Sequence, residues 1–191
     1  APHHVGHHYD NAEHEFSSAK QGMWIFMVTE VLMIGALFVG YLLFRLRFPE
    51  AFHEAHQHLD VKLGSTNTVI LLVSSATMVL GVSAVQRGNN KRGMRMLAAT
   101  VALGACFLVV KYFEYTHEFK EGIFPGGYYH FEGLKTAHAP LFYSFYFVMT
   151  GIHAFHVIVG ISLITWLITK IKRGHISKDY FTPIELVGFY W

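Results

Sequence analysis

The chain has 191 residues, 52% hydrophobic and 16% aromatic, with only 15% Asp, Glu, Lys or Arg and a mean hydropathy of +0.32. Soluble domains carry roughly 25% charged residues, so an ordinary globular surface and intrinsic disorder are both excluded. A net charge of +2 without a basic tract is too weak for an electrostatic nucleic-acid binder. The single cysteine, Cys106, excludes an internal disulfide or a cysteine-cluster metal site.

In chain order, residues 1–19 come first, a histidine-rich tail with His3, His4, His7, His8 and His14. It lacks the basic-then-apolar order of a secretory signal, and its composition predicts a solvated, disordered segment. Residues 20–191 then read as one transmembrane domain. Residues 21–44 hold one charge, Glu30, whereas 63–86, 96–110 and 136–169 hold none. A helix needs about 20 mostly apolar residues to cross a ~30 Å hydrocarbon layer, and period-two alternation is absent. The expectation is an all-α fold, a polytopic membrane helical bundle with four transmembrane helices near 21–45, 65–86, 94–118 and 140–170. The third is short unless Lys111 lies inside it.

Pro49 closes the first span, a basic turn around Gly88 separates the second and third, and Pro125-Gly126-Gly127 marks the longest loop before Pro140. Thr182-Pro183-Ile184-Glu185 reads as a helix start with Thr182 as cap. A further helix is therefore expected at 183–191, continuing as a fifth span beyond Trp191. Lys20, Arg87, Lys91, Arg92, Arg95, Lys170, Lys172, Arg173 and Lys178 fall on one side of the membrane. Arg45, Arg47, Lys62, Lys120 and Lys135 fall on the other. That bias makes the amino terminus cytoplasmic in a multi-pass protein.

Glu30 lies about 10 Å inside the first span, where an ionisable group costs on the order of 2.5–3.5 kcal/mol and needs a partner. His153 and His156 share a face of the fourth span, and counting rises places His156 at nearly the same depth as Glu30. A Glu30–His156 hydrogen bond between these helices is the expectation. The plainer alternative gives each residue a separate backbone or hydroxyl partner. Two histidines on one helix, with none in the apolar stretches 21–44, 63–86 and 96–110 of the first three spans, make a poor haem or di-metal site, so no cofactor or metal is assigned to this chain. Lys111 and Glu114 read as an i, i+3 ion pair and polar anchor. Ser74, Thr77, Gly81 and Ala84 on the second helix, and Ala98, Ala102 and Cys106 on the third, read as small-residue packing stripes. From the residues alone, an accessory subunit and a small proton-coupled transporter centred on Glu30 both remain open. A membrane metal-binding protein using the tail histidines is a third class.

Five strings occur in order: Trp24-Ile25-Phe26-Met27-Val28-Thr29-Glu30; Asn67-Thr68 with Leu71-Leu72 and Ser74-Ser75; Leu103-Gly104 to Lys111, Glu114 and Tyr115; Thr150-Gly151, His153, His156-Val157 and Gly160; and Glu185 to Gly188, Tyr190 and Trp191. Together they resemble subunit III of the haem–copper oxidases, in the short bacterial form that lacks two amino-terminal helices of the long form. The resemblance implies a non-catalytic accessory subunit of a proton-pumping terminal oxidase that reduces oxygen to water. It implies a chain packed beside catalytic oxidase subunit I and other oxidase subunits, within a larger respiratory supercomplex in a bacterial inner (plasma) membrane. It implies haem and copper in partner subunits and structural phospholipids bound by this chain. It also implies support of proton uptake and oxygen delivery. Glu30 matches the family's buried, carbodiimide-reactive carboxylate, and His153 and His156 match its paired histidines.

Overall fold

The computed structural model describes residues 11–56, 61–123, 139–176 and 180–191. Six helices follow one another: α1 (Ala12–Arg47), α2 (Pro49–His56), α3 (Val61–Gln86), α4 (Asn90–Lys120), α5 (Ala139–Lys172) and α6 (Thr182–Tyr190). Four of them, α1, α3, α4 and α5, are long and apolar enough to cross a membrane, as the uncharged stretches predict. Each keeps its backbone hydrogen bonds within one segment, which a bilayer core demands. The hydroxyls obey the same constraint. Thr68 donates to Gly64 O, Ser162 to Ile158 O and Thr165 to Ile161 O, each one turn back along its own helix.

The helices are longer than the apolar runs. α1 starts at Ala12, capped by the Asn11 side chain, which accepts from the His14 backbone N–H at 2.7 Å, with Glu13 and Glu15 in the first turn. This N-cap and the first-turn acids extend the helix ahead of the apolar stretch. Of the histidine tail, residues 1–10 lie outside the described residues. α4 runs on to Lys120, so Lys111 lies within the third spanning helix. Pro49 ends α1 as expected, but it also opens α2, where a proline's fixed φ suits the first helical position. α6 begins at Thr182 with Phe181 as its N-cap and no side-chain capping bond, so Thr182 is not the cap; Pro183 sits in the first turn.

α3, α4 and α5 form an antiparallel sheaf, with α6 packed on α3 and α5. The α3–α4 turn relies on Gly88, whose φ of 80° suits glycine, and on Asn89, which accepts from Arg92 N at 3.1 Å. Along this hairpin the backbones approach closely. A Cβ added at Gly93 would lie 2.4 Å from Val85 Cγ2, and one at Gly81 3.2 Å from Leu97. Ser74, Gly81 and Ala84 are buried here, as the small-residue stripe on α3 predicts. The stripe expected on α4 is corrected: Ala98, Ala102 and Cys106 are exposed. α4 instead turns Gly93, Leu97, Thr100, Gly104 and Phe107 inward, because the larger side chains fill the space between three helices.

Two apolar clusters hold the ends. At the end where α1 begins (the near end), Met78, Val85, Leu97, Ile164, Leu167, Ile171, Ile184 and Val187 join α3 to α6. At the far end, Ala51, Phe52 and Ala55 of α2 pack on Phe142 and Tyr143 of α5, and Tyr143 Oη donates to Ala55 O at 3.3 Å. α1 leans on α5, α2 and α6, but makes no close backbone contact with α3 among the described residues. A cleft therefore opens between α1 and α3.

Trp191 ties the sheaf together. Its indole Nε1 donates to Ser74 Oγ at 3.2 Å, and Ser74 in turn donates to Thr100 O at 3.3 Å. Its ring lies against two glycines, so that an added Cβ would come within 2.8 Å at Gly104 and 2.7 Å at Gly160. Gly160→Ala is expected to cost about 1–3 kcal/mol by overpacking. Gly151→Ala, on the same helix with nothing within 4 Å, is expected to be neutral or slightly stabilising. Apparent unfolding midpoints from circular dichroism in detergent check the pair; equal midpoints would refute the Trp191 clamp.

Candidate functional site

The cleft holds a cavity of about 600 Å³ lined by α1, α3, α5 and α6. Its walls are mostly apolar, with Glu30, Thr68, Ser75, His153, His156 and Tyr190 as the polar groups. Glu30 belongs to a stripe on α1, with Met27, Ile34 and Leu37, that looks across to α5 at helical spacing.

Glu30 Oε2 lies 2.8 Å from His156 Nε2, so the structure brings these two residues together across α1 and α5. The alignment falls short of an ideal hydrogen bond, and the contact is better described as a close ion-pair approach. Its proton content follows from the other ring nitrogen. His156 Nδ1 lies 2.8 Å from Ile152 O, one turn back on α5. A carbonyl oxygen only accepts, so Nδ1 carries a hydrogen. Nε2 then faces Glu30 either as a bare lone pair opposite a protonated carboxyl or as an N–H opposite a carboxylate. Both forms hold one mobile proton, and both are neutral overall. That neutrality lowers the cost of an ionisable pair inside a bilayer.

Tyr190 completes the group. Its hydroxyl donates to His156 O at 3.1 Å, and its ring lies 6.0 Å from Phe26 and 6.3 Å from His156. Lys20 Nζ, nearer the α1 terminus, reaches Glu185 of α6 at 3.9 Å. α1 is thus fastened to α5 and α6 by side-chain contacts, while its exposed residues Trp24, Ile25 and Leu32 face outward.

His153 does not join the pair. It packs edge-on against Phe107 of α4 at 5.5 Å and faces the cavity. Lys111 and Glu114 meet at 3.0 Å in the i, i+3 geometry the sequence predicts, and they recruit Tyr146 of α5, whose hydroxyl donates to Glu114 Oε1 at 2.5 Å. Sequence reasoning missed Tyr146, Tyr190 and the Ser74–Trp191 bond. For Tyr146 a signal existed, since it shares the α5 face of Thr150 and His153 at helical spacing. For the Trp191 bond none did. Among the described residues, no three His, Cys, Asp or Glu side chains converge on one point.

The family model described as cytochrome c oxidase subunit III matches residues 3–191. The heme-copper oxidase subunit I+III of Aeropyrum pernix is 30% identical over 178 residues, 90% of this chain and 20% of that polypeptide. The chain therefore spans about a fifth of the length of that relative. The cytochrome c oxidase subunit 3 of Thermostichus vulcanus is 33% identical over 172 residues, covering 89% of this chain and 77% of the relative. The quinol oxidase subunit 3 of Bacillus subtilis is 28% identical over 198 residues, covering 98% and 88%.

The Glu30–His156 contact has a measurable consequence. Removing either partner leaves the other's polar group without its mate, so Glu30→Ala and His156→Ala are each expected to cost about 1–3 kcal/mol. The double variant should lose less than the sum, by a coupling of about 1–2 kcal/mol. A double-mutant cycle in detergent reads this coupling, and strict additivity would show that the contact contributes nothing.

Proposed function

The chain belongs to the cytochrome c oxidase subunit III family, and from that we propose that it is an accessory subunit of a haem–copper oxidase, seated beside subunit I. The match along nearly the whole chain carries this reading. The combined name I+III of one relative supports the neighbour. The haem and copper of partner subunits supply the oxygen chemistry, and this chain contributes no redox centre.

What the chain's own residues do follows from their placement. The exposed apolar face of α1 meets lipid or a neighbouring subunit. The apolar cavity between α1 and α3 takes phospholipid chains and offers oxygen a low-polarity route, since a mostly apolar cleft of this size favours hydrocarbon over water. Glu30 and His156 hold one proton as a neutral pair and keep α1 against α5, so the cleft retains its shape. His153 lines the same wall. Lys111 and Glu114 anchor the far end. The near end, where Lys20, Arg87, Lys91, Arg92, Lys170 and Lys172 gather, faces the cytoplasm of a bacterial cell and supports proton uptake there. Residues 20–191 act as one membrane domain, whose first helix also takes in residues 12–19 of the histidine-rich segment. A larger respiratory assembly is the setting.

Affinity purification of the chain tests this. Haem-bearing partners should accompany it, whereas a chain that purifies alone and moves a solute in vesicles would refute the reading. In the same complex, Glu30→Ala is expected to leave the haem and copper spectra in place while oxidase activity decays several-fold sooner during turnover. Loss of a haem or copper signal from a fully assembled variant would overturn that role.

A further inference from the structure

α1 is fastened to the bundle by different means along its two halves. None of its residues with a described side chain is buried, whereas α3, α4 and α5 each turn buried residues toward their neighbours. The far half is nonetheless firmly seated. The Tyr41 ring lies 5.3 Å from Phe52, and the Phe44 ring 5.5 Å from Phe145. A Cβ added at Gly40 would come within 3.2 Å of Phe145. Phe52 belongs to α2, which follows directly on α1 and is itself packed against Phe142 and Tyr143 of α5.

The near half has less to hold it. Glu30 approaches His156 at 2.8 Å, Phe26 stacks on Tyr190 at 6.0 Å, and Lys20 reaches Glu185 only at 3.9 Å. An added Cβ at Gly22 or Gly35 would meet nothing within 4 Å. On the cleft side α1 makes no close backbone contact with α3 among the described residues. Such low contact density marks the segments of a fold that open first. In a bilayer the apolar contacts of a helix exchange for lipid chains at little cost. The Glu30–His156 contact does not, because hydrocarbon offers an ionisable group no substitute partner, so this contact is the latch. Glu30 stands 11 residues before Tyr41, about 16 Å along the helix. A tilt of about 10° around Tyr41 is modest beside the range of about 0–40° over which spanning helices lie. It would carry Glu30 about 3 Å off His156 and Gly22 about 5 Å outward.

We propose that α1 is a lateral gate on the cleft, pivoting at the aromatic contacts of Tyr41 and Phe44 and latched by Glu30 on His156. When the latch parts, the near half tilts off α5 and α6, the cleft widens at its near end, and a phospholipid enters or leaves there. The far half stays seated. Tyr190 stays with α5 through its bond to His156 O, so the surface that receives α1 on closing is kept in place. The gate rests on the reading of the cleft as a phospholipid site and adds how that site is loaded.

Nitroxide distance measurements on the chain with its accompanying subunits, in vesicles of phosphatidylethanolamine and phosphatidylglycerol, test this. In a Cys106→Ser background, Gly22→Cys with Leu80→Cys reports the near end of the cleft, and Leu42→Cys with Leu63→Cys the far end. Adding Glu30→Ala should lengthen the near-end distance by about 5 Å and leave the far-end distance unchanged. Bound phospholipid, read by mass spectrometry, should exchange for deuterated lipid several-fold faster in that variant. Unchanged distances at both ends would overturn the gate, and equal lengthening at both would overturn the pivot. If Glu30→Ala fails to assemble, Phe26→Ala, which removes the aromatic contact of the near half, decides by the same two distances. A near-end movement in a complex that holds no phospholipid would refute the lipid reading of the cleft and leave the hinge standing.

Discussion

A bilayer interior offers no water to complete a hydrogen bond, and this constraint organises the whole chain. It makes every spanning segment a helix and turns serine and threonine hydroxyls back onto their own carbonyls, as at Thr68 and Thr165. The same constraint forces the few ionisable groups into neutral combinations. Glu30 and His156 approach within 2.8 Å of one another across α1 and α5. Lys111, Glu114 and Tyr146 bond to one another across α4 and α5.

The two halves of the bundle are held by different physics. α3, α4 and α5 pack through close backbone approach at Gly81, Gly93, Gly104 and Gly160, with Trp191 filling the gap the glycines leave. Dispersion at short range stabilises such contacts where lipid removes most of the hydrophobic drive. α1 has no such seam with α3. It is fixed by Glu30–His156, by Phe26 against Tyr190 and by the aromatic cluster around Tyr41 and Phe145. A helix attached along one side leaves a cleft on the other. The cavity is thus a direct result of where the polar and aromatic residues of α1 are placed.

That arrangement suits an accessory subunit. α3, α4 and α5 pack tightly, and α1 carries an exposed apolar face and borders an apolar cleft. The ionisable groups stand apart at two levels of α5 with no metal-ligand convergence among the described residues.

Much of this was legible in the residues themselves. Uncharged runs of sufficient length determine the four spanning helices, because hydrocarbon thickness and helical rise leave little choice. The depth of Glu30 and His156 could be counted for the same reason, since rise per residue is constant. Lys111 and Glu114 could be paired because i, i+3 proximity is local. Rotation about the helix axis is not local. Which face of α4 turns inward was decided by competition among Leu97, Phe107, Gly104 and the facing helices, and so the expected Ala98–Ala102–Cys106 stripe ended outside. The junction of Trp191 with Ser74, residues 117 positions apart, the recruitment of Tyr146 to Glu114, and the cleft beside α1 likewise needed the assembled bundle. A helix's length and depth are properties of one segment, whereas its azimuth and its neighbours are properties of all of them together.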